Sequence, residues 1–193
     1  MLAAERMVGR DVVEGTLGCP ICRAEYPIAA GVAHFDGGEP GTTQSELPDE
    51  NEAVRLAALL DLTDARGYAI LVGTTGSHAA RLRELTDVQL LLVNPPPGAA
   101  MGAGVSGLTT DSASSSLPLA AASARAIALD DVATPAQLAL AVIVASPGGR
   151  ILAPLALTVP EGVTELARDD HQWVAERTSA GRTSGIVKLQ RRE

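Results

Sequence analysis

Cys19-Pro20-Ile21-Cys22 places two thiols two residues apart, a spacing that lets both sulfurs grip one tetrahedral ion from a tight turn. Zinc accepts such thiolates, and a full site needs two further donors. The chain has only these 2 cysteines. The nearest imidazole is His34, and Asp11, Glu14, Glu25 and Asp36 offer carboxylates. A second copy of the chain could instead lend its own Cys19 and Cys22. Possible zinc ligands are therefore Cys19, Cys22 and His34, with thiol redox chemistry or an unmetallated pair as the competing readings.

A second constellation surrounds Gly73-Thr74-Thr75-Gly76, which follows the apolar run Tyr68 to Val72. A turn between a buried strand and a helix is where an open parallel sheet binds cofactors, because backbone can approach the ligand and helix amides point toward it. Gly73, Thr74 and Gly76 are the candidate contacts. Asn94, after the apolar run Val88 to Val93, could supply a hydrogen-bond acceptor, and Asp130 or Asp131 should lie near the carboxyl edge of the same sheet. The competing readings are a plain tight turn and solvated loop residues. No catalytic residue is nominated: Ser112 to Ser116 lacks a nucleophile elbow, and His171 beside Asp169 and Asp170 is explained by a charged loop.

These groups must be held by alternating strands and helices. Asp49 and Glu52 predict a capping box for a helix to about Thr63 that buries Ala53, Leu56, Ala57 and Leu60. Tyr68 to Val72 predicts a strand, then a glycine turn, then a helix capped by Ser77 with Ala79, Leu82 and Leu85 on one face. Arg81, Arg83 and Glu84 read as that helix's solvated face. Val88 to Val93 is apolar throughout, as a strand covered on both faces requires. Ala99 to Ser116 has no clear period. Arg125 to Leu129 predicts another strand, and Thr134, Pro135 and Gln137 predict a capped helix burying Leu138, Ala141, Val142 and Ala145. Ser146-Pro147-Gly148-Gly149 should end that helix before a strand at Arg150 to Leu155. A short helical segment is expected after Pro160, then strands at Gln172 to Arg177 and Gly185 to Gln190 in a hairpin-like finish. The alternation favours a parallel sheet with helices on both sides.

At 193 residues the chain accommodates one ordinary domain and a small appendage. The expected division is an N-terminal unit over residues 1–36, a Gly/Pro/Ser/Thr-rich linker over 37–49 and the α/β region over 50–193. Apolar residues make up 46% and aromatics 2%, so the core must be built from Ala, Val, Leu and Ile. The net charge of -8 opposes attraction to phosphate backbones and makes broad nucleic-acid binding an unfavoured function. With no long apolar run and no signal-like N-terminus, the expectation is a cytoplasmic protein without a membrane segment.

Leu17-Gly18-Cys19-Pro20-Ile21-Cys22, with Tyr26-Pro27-Ile28 and Gly31-Val32, resembles the second half of the small zinc-ribbon proteins that activate methyltransferases. Those ribbons carry an earlier cysteine pair that Met1 to Thr16 lacks. The region from about residue 50 onward resembles a class I S-adenosylmethionine-dependent methyltransferase domain. The resemblance is carried by Ile70-Leu71-Val72-Gly73-Thr74-Thr75-Gly76, by Leu117 to Ala126 and by Ser146-Pro147-Gly148-Gly149-Arg150-Ile151-Leu152. With Gly76 aligned to the family's last glycine, Ile70, Val72 and Thr74 stand where its acid and two other glycines belong, and Asn94 stands where its ribose-binding acid belongs. Asn94-Pro95-Pro96 is also similar to the motif by which amino-group methyltransferases hold a target nitrogen, with Pro97 in place of the stacking aromatic; it reads better as a strand terminator.

The resemblance implies a Rossmann-like sheet, mostly parallel with an antiparallel C-terminal strand, preceded by a partial zinc ribbon. Fold signals are kept better than cofactor signals. The expected function is accordingly a noncatalytic methyltransferase-like structural or interaction protein that self-associates as a homo-oligomer or binds a protein partner. The alternative is an S-adenosylmethionine-dependent methyltransferase acting on a small molecule, and a third possibility is a module binding another nucleotide or metabolite at the same sheet edge.

Overall fold

A computed structural model describes residues 1–35, 50–63, 66–111 and 117–178. The chain begins with four strands, β1 (Leu2–Val8), β2 (Asp11–Gly18), β3 (Glu25–Ala29) and β4 (Val32–His34), each antiparallel to the next. Then come α1 (Glu50–Leu59), β5 (Tyr68–Val72), a 3₁₀ turn over Gly73–His78 and α2 (Ala79–Leu85). They are followed by β6 (Gln89–Val93), β7 (Val105–Thr109), β8 (Ala124–Ala128), α3 (Pro135–Val144), β9 (Ala145–Pro154), β10 (Val163–Arg168) and β11 (Gln172–Arg177). All strands among the described residues join one 11-stranded sheet in the order β1-β2-β3-β4-β7-β6-β5-β8-β9-β11-β10.

The centre of the sheet, β7-β6-β5-β8-β9, is parallel, and β11 inserts antiparallel between β9 and β10. Central strands must be apolar on both sides. Ile70 and Val72 face the layer that contains α3, Trp173 and Ile151, whereas Ala69 and Leu71 face the layer that contains α1 and α2. Small residues let these layers close: Ala53, Ala69, Ala79 and Ala126 are all fully buried. Trp173 is the large exception, buried on β11 with its indole donating to the Leu157 carbonyl at 2.6 Å.

Helix α3 forms as its residues predict. Gln137 N donates to Thr134 Oγ1 at 3.3 Å, and Thr134 N donates to Gln137 Oε1 at 2.8 Å. Helix α2 differs: its N-cap is His78, and the Ser77 hydroxyl donates instead to Thr74 O at 2.8 Å. Arg83 also departs from a solvated face, because it folds back and donates to Val88 O at 2.8 Å. The capping position Asp49 lies outside the described residues, and Glu52 pairs with Arg55 at 2.8 Å.

Six further elements depart from expectation. Strands β1, β2, β3, β4 and β7 form where no element was assigned, and β10 replaces the short helix expected after Pro160. The terminal hairpin is therefore β10–β11, while Gly185 to Gln190 lies outside the described residues. Ser146 to Gly149 is not a turn between α3 and β9. The strand starts at Ala145, and these residues bulge between the Ala124↔Ala145 and Ala126↔Arg150 pairs.

The expected linker, 37–49, lies outside the described residues. The N-terminal meander nevertheless continues the sheet, since β4 pairs in parallel with β7 through Val32↔Gly107, Ala33↔Leu108 and His34↔Thr109. Gly107 permits this seam: a Cβ there would stand 2.9 Å from Val32 Cγ2. Leu17, Ile28 and Phe35 pack onto the main core, and the Tyr26 and Phe35 rings meet at 4.6 Å. Among the described residues no helix is long and apolar enough to cross a membrane.

Candidate functional site

In an open sheet, ligands bind at the carboxyl ends of strands where the strand order reverses, here between β5 and β8. The sequence places Gly73, Thr74 and Asp130 at that point, and the fold brings them together. Gly73 has φ +59, and Asp130 follows β8 by two residues. Thr74 N donates to Asp130 Oδ2 at 3.2 Å. A Cβ on Gly73 would lie 1.8 Å from that same oxygen, so the carboxyl group occupies the hollow that the glycine leaves. Asp130 is 7% exposed, and this desolvation raises its pKa above the ordinary carboxylate value; the Asp131 charge adds in the same direction.

Gly76 is enclosed by a different neighbour. It is buried, and a Cβ there would meet Pro96 Cδ at 3.3 Å, Leu92 Cδ1 at 3.7 Å and Pro95 Cα at 3.8 Å. Pro95 and Pro96 terminate β6 as expected, but they also lie over the neighbouring glycine turn. That packing could not be read from either segment alone, because it depends on β5 and β6 being adjacent.

Asn94 adopts φ +49, a conformation asparagine tolerates better than most residues, and its Oδ1 accepts from Thr110 N at 2.8 Å. It is thereby committed to holding the end of β7 beside β6. Among the described residues, a cleft of about 30 Å³ next to it is lined by residues including Val72, Val93, Asn94, Asp111 and Gln137, space for a water.

The cysteines occupy the β2–β3 hairpin. Cys19 N donates to Ala24 O at 2.8 Å and Arg23 N to Cys19 O at 3.0 Å, with Arg23 at φ +61. The amides of Cys22 and then Ile21, followed by the Cys22 side chain, hold the Cys19 thiol below its usual pKa. This turn favours thiolate at one sulfur. His34 is directed elsewhere: its Nδ1 lies 3.0 Å from Thr109 Oγ1 across the β4–β7 seam. Glu14 pairs with Arg6 at 2.7 Å, and Asp36 lies outside the described residues. Among the described residues no group of three or more His, Cys, Asp or Glu side chains could hold a metal, and no zinc-ribbon unit is evident. The two thiols alone do not fit a closed zinc site.

His171 and its acidic neighbours form a structural turn. Asp169 Oδ1 accepts from His171 N at 2.8 Å and from Gln172 N at 2.9 Å, and its other oxygen pairs with Arg55 of α1. The two amides, followed by Arg55, lower the Asp169 pKa to about 2.

No protein-family model matches the chain, and no curated protein is similar enough to count as a relative. Solved structures do match. A Corynebacterium glutamicum protein is 15% identical with a TM-score of 0.50, over 72% of this chain and 85% of that one. A complex between the Haloferax volcanii Trm112 methyltransferase activator and a candidate methyltransferase is 16% identical with a TM-score of 0.39, over 57% of this chain and 60% of that one. Geranyl diphosphate C-methyltransferase from Streptomyces coelicolor is 11% identical with a TM-score of 0.44, over 53% of this chain and 43% of that one. The chain thus spans less than two thirds of the length of the last two. At such identities the likeness is one of fold alone. The parallel centre, with β11 inserted antiparallel between β9 and β10, makes a mixed sheet of Rossmann-like type.

Proposed function

We propose that this chain is a noncatalytic methyltransferase-like interaction protein that associates with itself. The observation that carries this reading is the Asp130 carboxyl group seated against Gly73 and on the Thr74 amide. A ligand approaching that turn would have to displace the carboxyl and replace its hydrogen bond, or leave a buried acceptor unmet at a cost of about 1–3 kcal/mol. The prolines over Gly76 support the same reading.

Self-association is supported by β1. Among the described residues it pairs only with β2, and Leu2, Met7 and Val8 are 56%, 53% and 59% exposed. An open edge with apolar side chains favours pairing with another strand. Two copies would together hold four thiols from Cys19 and Cys22, so native mass and metal analysis belong in one experiment.

The alternative, a small-molecule methyltransferase using S-adenosylmethionine, draws support from Asn94 and Asp130 at the carboxyl edge where ribose acceptors would stand. Titration calorimetry with S-adenosylmethionine and S-adenosylhomocysteine separates the two. The expected result is no saturable heat from either compound, with a native mass of two or more chains. Stoichiometric binding of either nucleoside would overturn the noncatalytic reading in favour of the enzyme.

A further inference from the structure

The Cys19–Cys22 turn supplies half of the ligands a closed zinc site needs, and the fold directs the other candidate donors elsewhere. His34 is engaged across the β4–β7 seam, and Glu14 is paired with Arg6. Among the described residues no third His, Cys, Asp or Glu side chain joins the two thiols. A metal held at this turn by the described residues of one chain therefore has two side-chain ligands, and both are sulfur.

The turn is built to keep those sulfurs together. Strands β2 and β3 close beneath it through Leu17↔Tyr26 and Gly18↔Glu25, and Leu17 is anchored on the main core. Above them, Cys19 N donates to Ala24 O and Arg23 N to Cys19 O, while Pro20 fixes the backbone between the cysteines. The amides of Cys22 and Ile21 donate to the Cys19 sulfur, and the Cys22 thiol is in hydrogen-bonding contact with it. Cys19 is half-buried and Cys22 exposed, so one sulfur is held by the turn and the other is open to an arriving ion.

We infer that Cys19 and Cys22 of a single chain form a two-thiolate site for a soft monovalent cation, copper(I). Zinc closes a tetrahedron of four ligands, and calcium and magnesium ask for oxygen donors, so neither matches this pair. Thiolates select soft ions, and copper(I) is satisfied by two of them. Each sulfur gives up its proton as its bond to copper forms, and no electron is transferred. Two thiolates and one monovalent ion leave one negative charge in excess, which the Cys22 and Ile21 amides face at Cys19. The site uses neither the Gly73 turn nor contact between copies of the chain, so it stands or falls apart from the function proposed above.

The test titrates the full, reduced chain with copper(I) under anaerobic conditions, in competition with a chromophoric copper(I) chelator. The expected result is one copper per chain, with proton release and with the number of chains in the native mass unchanged. X-ray absorption at the copper edge should show sulfur neighbours only. Cys22→Ser, at an exposed position, and Cys19→Ser should each weaken binding by more than about a hundredfold, beyond what loss of an outer hydrogen bond does to a metal site. Glu25→Gln, which removes the carboxylate closing the same hairpin, should leave binding unchanged. Circular dichroism of each variant separates a lost ligand from a lost fold. No capture from the chelator, one copper per two chains, nitrogen or oxygen neighbours at the metal, or undiminished binding in folded serine variants would each overturn the proposal. So would a parallel zinc titration that yields one zinc per two chains in place of copper, since the thiols would then serve a shared four-sulfur site.

Discussion

Gly73 and Asp130 constrain each other, and each can be tested by substitution. Asparagine at 130 keeps an acceptor for the Thr74 amide and removes the charge that burial disfavours. Because the folded-state pKa of Asp130 is raised, the native carboxyl group is best tolerated below its unfolded value, and stability declines as pH rises through the folded one. Asp130→Asn should therefore raise the melting temperature near neutral pH by about 2–4 °C, with the difference vanishing in acid. Gly73→Ala should do the reverse, since its Cβ would strike Asp130 at a positive φ. Asp169 has the opposite sign: its stabilisation is present above pH 3.8 and is lost as pH falls toward about 2. A thermal denaturation series across that window should show a drop that Asp169→Asn removes.

At the scale of elements, the features legible in the sequence were those whose signals are local. The capping box of α3 lies within four residues, and Thr134→Ala should cost about 1 kcal/mol, readable by urea denaturation. Strands β5, β6, β8 and the later half of β9 announce themselves by mostly apolar runs because both of their faces are covered. Strand β7 does not. Val-Ser-Gly-Leu-Thr is small and partly polar, and Gly107 is needed there because β4 approaches closely. Strands β1 and β10 are mostly exposed, so burial imposes no period on them. Trp173 could have been helix or strand by its own sequence; its place between β9 and β10 settles the matter. Trp173→Ala should destabilise the protein by about 3–5 kcal/mol, measurable by the same method.

At the scale of the molecule, residue types placed Gly73, Thr74 and Asp130 at one point, but not that the acid would fill the turn. That outcome depends on β5 and β8 lying side by side across more than fifty residues of chain. The β4–β7 seam has a separate thermodynamic meaning. The strand lying against β7 is delivered by its own polypeptide, so its docking is a unimolecular step governed by an effective concentration set by the tether. Dilution leaves that strand in place.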